Sequence, residues 1–355
     1  MKLSVGTILF KIPLLVIGLV VVCLVAAFVL TDPAPSTLPR RARRLAGEIA
    51  AIVTARRGPL PLPPLVDVPV VSIPEARALV ADESYVVGLE LGGETRAYPL
   101  NMLSRPDHHV VDDVLGGRPV AVTWCGLCQS AIVYDRTVDG KTLTLFVSGE
   151  LHGENMVLRD VETGSDWPQM MGEAVKGPLR GKGLVQIASV WTDWKSWRDQ
   201  HPQTTLMNIP QTVDYYRHDV DSARSLADNR YFSNLQWGLV RDGRALSWPV
   251  RELAKRSVVN DSFAGLPFVV IFDRTTVTIA AFDRRIGETE LTFQRGTDGL
   301  PVDDQTATVW DPVSGRGLRG KWALRRLKPV AGVISHLRAW RTSHPETLVR
   351  TIDAS

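Results

Sequence analysis

The chain has 355 residues, a formal net charge of +3 and 22% charged residues, with 45% of the ordinary apolar types. That balance suits a globular protein of about two domains. It is too weakly basic for a nucleic-acid partner, and three cysteines cannot form a disulfide framework.

The first predicted element is an uncharged apolar run from Ile12 to Leu30. About 19 residues suffice to cross a bilayer, so residues 1–31 are expected to form an N-terminal transmembrane anchor. A cleaved signal peptide is the competing reading, but the run is long for one and no small-x-small site follows. The membrane is thus an expected partner; protein partners are not legible. Lys2 and Lys11 precede the run, while Arg40, Arg41, Arg43 and Arg44 follow it. Counted literally, the positive-inside rule would hold the main domain in the cytoplasm. Cys23, inside the run, reads as a buried apolar residue of the span. Residues 32–69 form a Pro/Arg-rich linker with a short helix near 41–56.

Beyond the linker the chain repeats itself. VGLELGGETRAYPL from Val87 matches WGLVRDGRALSWPV from Trp237. HHVVDDVLGGRPVAVTW from His108 matches RSVVNDSFAGLPFVVIF from Arg256, and WRDQHPQT from Trp197 matches WRTSHPET from Trp340. LRDVETG from Leu158 is matched to VWDPVSG from Val309, which sets Trp167 opposite Leu318. The fold class is therefore α+β, β-rich, built as two homologous repeat units over 70–207 and 208–355, with pseudo-twofold packing. Strands are short and bounded by Gly92-Gly93, Gly116-Gly117, Asp139-Gly140 and Asp242-Gly243, dipeptides that supply the positive φ of tight hairpins. Each unit closes on a helix that the proline of Trp-Arg-x-x-His-Pro ends. His201 and His344, kept in both copies beside that proline, read as structural.

A duplication permits an internal comparison. Cys125 and Cys128 of Cys-Gly-Leu-Cys stand opposite Asp273 and Thr276; His108 and His109 stand opposite Arg256 and Ser257; His152 has no counterpart. The second copy has lost every Cys and His that could form a site in the first. VAVTW and SAIVYD flank the pair as strands, so it sits in a strand-to-strand turn, not at the helix start that lowers a thiol pKa in thioredoxin-type motifs. Gly126 permits the tight backbone of such a turn. A transition-metal centre is the leading expectation, with Cys125, Cys128 and His108 as ligands and His152 or His109 as a further one. Two thiolates and imidazole suit Zn, Cu or Fe, and an incomplete set leaves the open position of a reactive metal. A dithiol–disulfide oxidoreductase is the second reading, and a non-catalytic binding module with a structural Cys pair the third. Asp166 and Trp167 are expected to support the ligands from behind. Asp113, matched by Asp261, reads as structural. No Gly-rich phosphate loop and no Gly-x-Ser-x-Gly elbow is present.

Residues His108–Arg136 and VSGELHGENMVLRDVETGSDWPQMMGEAVKGPL resemble the bacterial and archaeal family catalogued as domain of unknown function 3179. The Cys-x-Leu-Cys, Thr-Gly-Ser-x-Trp and Gly-Glu-Ala-x-x-Gly stretches carry the resemblance over most of the chain beyond the linker. In the family pattern an acid follows the first histidine; His109 stands there here, so both histidines are kept as candidates. Members often carry an N-terminal signal or anchor. The resemblance therefore implies a single-pass protein of the cell membrane whose soluble domain is extracytoplasmic, against the arginine count. It implies no reaction.

Overall fold

The computed structural model describes residues 62–211, 213, 214, 216 and 234–352. The apolar run 12–30 and the helix expected near 41–56 lie outside them. Among the described residues no helix is long and apolar enough to cross a membrane. The longest helices described, Trp194–Gln200 and Leu337–Ser343, have seven residues each, and strands dominate, as the spacing of turn dipeptides predicts.

The two copies build the same pieces. The hairpin of Tyr85–Leu91 and Glu94–Pro99 answers to that of Leu235–Arg241 and Arg244–Pro249. The meander Val110–Leu115, Arg118–Cys125, Ser130–Asp135 answers to Val258–Phe263, Leu266–Asp273, Thr278–Asp283. The pieces do not stay with their own copy. The first-copy hairpin continues through Val190–Asp193 into the second-copy meander, with Trp191 bridged to Ile279, and the result is an eight-stranded sheet. The mirror arrangement sets Val333–His336 of the second copy beside Ser130–Asp135 of the first. There the sheets remain separate, and the His336 N–H donates to the Cys128 carbonyl at 2.8 Å. The copies interlock, and the described residues belong to one compact unit.

The repeated Gly and Trp motifs make this packing. Trp197 and Trp340 lie midway along the two seven-residue helices, fully buried. Each indole lies on the glycine of its own hairpin: a Cβ at Gly88 would fall 2.2 Å from Trp197, and one at Gly238 2.5 Å from Trp340. Each indole N–H is satisfied by a threonine hydroxyl seven residues on, Thr204 at 2.9 Å and Thr347 at 2.8 Å. His201 and His344 stack on these tryptophans with ring centroids 3.9 and 4.3 Å apart, which agrees with their structural reading. Asp113 and Asp261 also share a role, accepting from Tyr98 Oη and Trp248 Nε1 respectively.

One pair of equivalents differs in charge. Asn260 brackets Phe293, with Nδ2 donating to its carbonyl at 2.7 Å and Oδ1 accepting its N–H at 2.9 Å. Asp112 takes the same place against Leu145. Its Oδ2 accepts the Leu145 N–H at 2.9 Å, and its buried Oδ1 has no partner. Burial drives the Asp112 carboxyl up to about 7, against the opposing pull of the Arg136 guanidinium 3.9 Å away.

Candidate functional site

Cys125 ends the strand Arg118–Cys125, and Cys128 lies two residues before the next strand begins at Ser130. The turn closes on Gln129 in the left-handed region, φ 51°. The second copy repeats the turn without sulfur, pairing Asp273 with Thr278 as Cys125 pairs with Ser130, and putting Val277 at φ 58° in the place of Gln129. The alignment read from sequence is therefore the structural one: Cys125 answers to Asp273 and Cys128 to Thr276. The loop's shape does not depend on cysteine.

Both thiols are free and buried. Their Sγ atoms lie 3.0 Å apart, a hydrogen-bonded dithiol. Their surroundings differ. The hairpin of Leu145–His152 and Asn155–Asp160 lays its tip over the turn. From there the Glu154 carbonyl sits 3.0 Å from Cys128 Sγ, and Asn155 Nδ2 donates to that sulfur at 3.4 Å. Cys125 lies against the Cys128 sulfur and the backbone N–H groups of Met156, Cys128 and Leu127, which lower its pKa despite burial. Cys128 faces the neighbouring sulfur and a carbonyl oxygen and is held as the thiol, its pKa raised by Cys125 and by burial. The surroundings favour the thiolate at Cys125 over Cys128.

Beneath Cys128 lies a buried polar network. Gln169 Oε1 accepts from Asn155 Nδ2 at 2.9 Å and from Ser130 Oγ at 2.8 Å. Gln169 Nε2 donates to Thr123 Oγ1 at 3.0 Å and to the Ser130 carbonyl at 3.2 Å. The Tyr134 hydroxyl donates to the Gln169 carbonyl at 2.6 Å. In the second copy Thr123 is replaced by Ile271, Tyr134 by Phe282 and Gln169 by Pro312. Gln169, Thr123, Ser130 and Tyr134 were not among the expected site residues. For Thr123, Tyr134 and Gln169 the signal in the sequence is this polar-to-apolar exchange, the same comparison that singled out the cysteines; Ser130, matched by Thr278, carries none.

The structure does not bring the expected metal set together. His108 is buried with Nδ1 2.8 Å from the Met102 carbonyl. His109 gives its carbonyl to the Trp124 N–H, and burial lowers its ring to about 4. His152 is exposed at the tip of the covering hairpin. Among the described residues no group of three or more His, Cys, Asp or Glu is placed to hold a metal ion. Asp166 pairs with Arg159 at 2.6 Å and lies 3.7 Å from Lys176. Trp167 donates from Nε1 to Asp160 at 3.0 Å, and Asp160 also holds the Thr163 and Ser165 N–H groups. Trp310 makes the same bond to Asp303 at 2.9 Å, and Asp303 holds Thr306 and Thr308. The counterpart of Trp167 is thus Trp310, not Leu318. The indole pins a turn in both copies, which removes the sequence argument for a role at the thiols.

A family model described as Protein of unknown function (DUF3179) matches the chain twice, over residues 61–234 and 234–355. No curated protein and no solved structure matches it.

Proposed function

The chain belongs to the DUF3179 family through two copies of its domain, and we propose that the first copy carries out thiol–disulfide exchange at Cys125 and Cys128. The observation that carries this reading is the pair itself: two free sulfurs 3.0 Å apart, one ringed by donors and the other set against a carbonyl. In the reaction Cys125 thiolate attacks one sulfur of a partner disulfide. The partner S–S bond breaks, a mixed disulfide forms on Cys125, and one partner thiolate leaves. Cys128 then attacks Cys125 Sγ, its proton ending on the released thiolate. The second partner sulfur leaves, and the chain holds a Cys125–Cys128 disulfide. The two electrons lost by the dithiol reduce the partner.

Both thiols are buried, so a disulfide reaches Cys125 only when the turn or the hairpin tip shifts. Leu127, 42% exposed, marks where the turn meets solvent. The tip is tied to the second copy by the ion pair of Glu154 with Arg338 at 2.5 Å. The apolar run Ile12–Leu30 and the family resemblance favour an anchored, exported domain, in a compartment where dithiol–disulfide couples turn over.

The test is the intact mass of the full chain in a Cys23→Ser background, before and after incubation with glutathione disulfide. The expected product is lighter by two hydrogens, reverts with reductant and does not form in Cys125→Ser. A chain that instead purifies with one equivalent of transition metal, lost in Cys125→Ser/Cys128→Ser, would replace this reading with a metal centre. A chain that does neither leaves the pair a structural feature.

A further inference from the structure

The polar network under Cys128 has only one consistent proton order. The Thr123 hydroxyl donates to the Ile132 carbonyl at 2.8 Å, so toward Gln169 its oxygen is an acceptor. The Ser130 carbonyl is an acceptor as well. Gln169 must therefore present Nε2 to these two, which turns Oε1 toward Ser130 Oγ and Asn155. Asn155 must answer with Nδ2. Its own Oδ1 is fixed from the other side by the Met170 N–H at 2.7 Å. With one amide hydrogen spent on Gln169, the other is aimed at Cys128 Sγ. Flipping either amide sets oxygen against oxygen inside a buried site, which costs far more than the bonds gain. All five participating side chains are buried. The fold does without this polarity in the second copy, where isoleucine and proline replace Thr123 and Gln169.

We propose that Gln169 and Asn155 are positioning residues that hold an N–H on Cys128 Sγ and so stabilise its thiolate when it attacks the mixed disulfide on Cys125. This deepens the thiol–disulfide reading and rests on it. In the resting pair Cys125 is the sulfur whose thiolate is favoured, and the Asn155 contact to Cys128 is long at 3.4 Å. Once Cys125 is capped by the partner sulfur, Cys128 must release its proton with a carbonyl, the neutral Cys125 sulfur and the Asn155 amide beside it, and against the opposing charge of the Glu154 carboxylate. Of these the amide alone offers a hydrogen to the anion.

The experiment uses a chromogenic aryl disulfide on the full chain in a Cys23→Ser background. It releases one coloured thiolate when Cys125 attacks and a second when Cys128 does. The wild-type pair should give two phases, and Cys128→Ser only the first. Asn155→Ala and Gln169→Glu, the latter keeping the shape while exchanging a donor for an oxygen, should slow the second phase by about tenfold. They should also move the midpoint of its pH profile up by about one pH unit, with the first phase unchanged. A purely structural role would alter both phases together or neither profile. Two wild-type phases with the second profile unmoved in both folded variants overturns the positioning role alone. A wild-type chain that releases no second thiolate overturns the thiol–disulfide reading beneath it.

Discussion

Asp112 offers the sharpest test of the duplicated architecture, because the chain carries its own control. Asn260 shows what this position does when neutral: one donor and one acceptor bracket the backbone of the residue opposite. Asp112 reproduces the acceptor half, and its unpartnered Oδ1 falls where Asn260 places its amine. A protonated carboxyl completes the pattern by donating to the Leu145 carbonyl; an ionised one sets a buried charge against it. The groups facing it are Arg136, which favours the ionised form, and Glu162, which opposes it. Burial wins and holds the folded-state value at about 7, from an ordinary 3.8. The sign follows. Between those values the folded state keeps a proton that the unfolded chain has lost, so stability falls as pH rises through the window, by about 1.4 kcal/mol per pH unit. From about pH 5 to about pH 8 this group removes about 3 kcal/mol. Asp112→Asn has no proton to lose. Carboxylates such as Asp82, lowered by its Arg198 partner, titrate alike in both proteins and cancel in the difference. Urea unfolding of wild type and Asp112→Asn at the two pH values should therefore show the variant gaining about 3 kcal/mol relative to wild type at the higher pH. A stability difference that does not change with pH refutes the argument.

Other outcomes follow from the same contacts. Gly88→Ala should destabilise by about 1–3 kcal/mol in thermal or denaturant unfolding, because its Cβ meets the Trp197 ring at 2.2 Å; Gly238→Ala should behave alike against Trp340. Trp167→Phe and Trp310→Phe should each cost about 1 kcal/mol and leave thiol reactivity unchanged; an effect of Trp167→Phe on labelling would return that indole to the site. Iodoacetamide at neutral pH should modify Cys125 before Cys128, as followed by peptide mass. Arg338→Ala should speed labelling of Cys125 up to about fivefold by freeing the hairpin tip, the ceiling set by the small worth of an exposed ion pair.

The duplication was legible because its signature residues touch: Gly88 and Trp197 are far apart in sequence but form one contact, copied in Gly238 and Trp340. The turn of Cys125 and Cys128 was legible for a similar reason, since alternating strands flank it and the second copy keeps its length. What spacing could not carry was direction. His108 stands near the cysteines along the chain, yet its ring nitrogen is spent on the Met102 carbonyl, a choice made by the short helix Pro106–His108 and invisible to a count of residues. Trp167 was misaligned because the segment between the meander and the Asp160 turn is five residues longer in the first copy: equivalents are 148 apart at Cys125 and Asp273 but 143 apart at Asp160 and Asp303. A match to VWDPVSG slid past the true partner. Gln169 was missed because an amide carries no charge and no metal chemistry to advertise itself; its importance comes from what surrounds it.

The interlocking of the copies bears on why a second, sulfur-free copy is kept. On one side of the interlock the strands join, with Trp191 bridged to Ile279. On the other, the corresponding strand Val333–His336 stops short of a ladder and spends the His336 N–H on the Cys128 carbonyl. The same copy reaches the covering hairpin twice more: Arg338 pairs with Glu154, and Thr342 packs against Gly153 with no room for a Cβ between them. Cys128 is thus gripped by its own copy through Glu154 and Asn155 and by the other through its backbone. Removing the second copy would open an edge of the first-copy sheet, release the hairpin tip and free the turn together. The second copy lost its thiols without losing its place at the site, because what it contributes there is the backbone of one strand and one face of a helix.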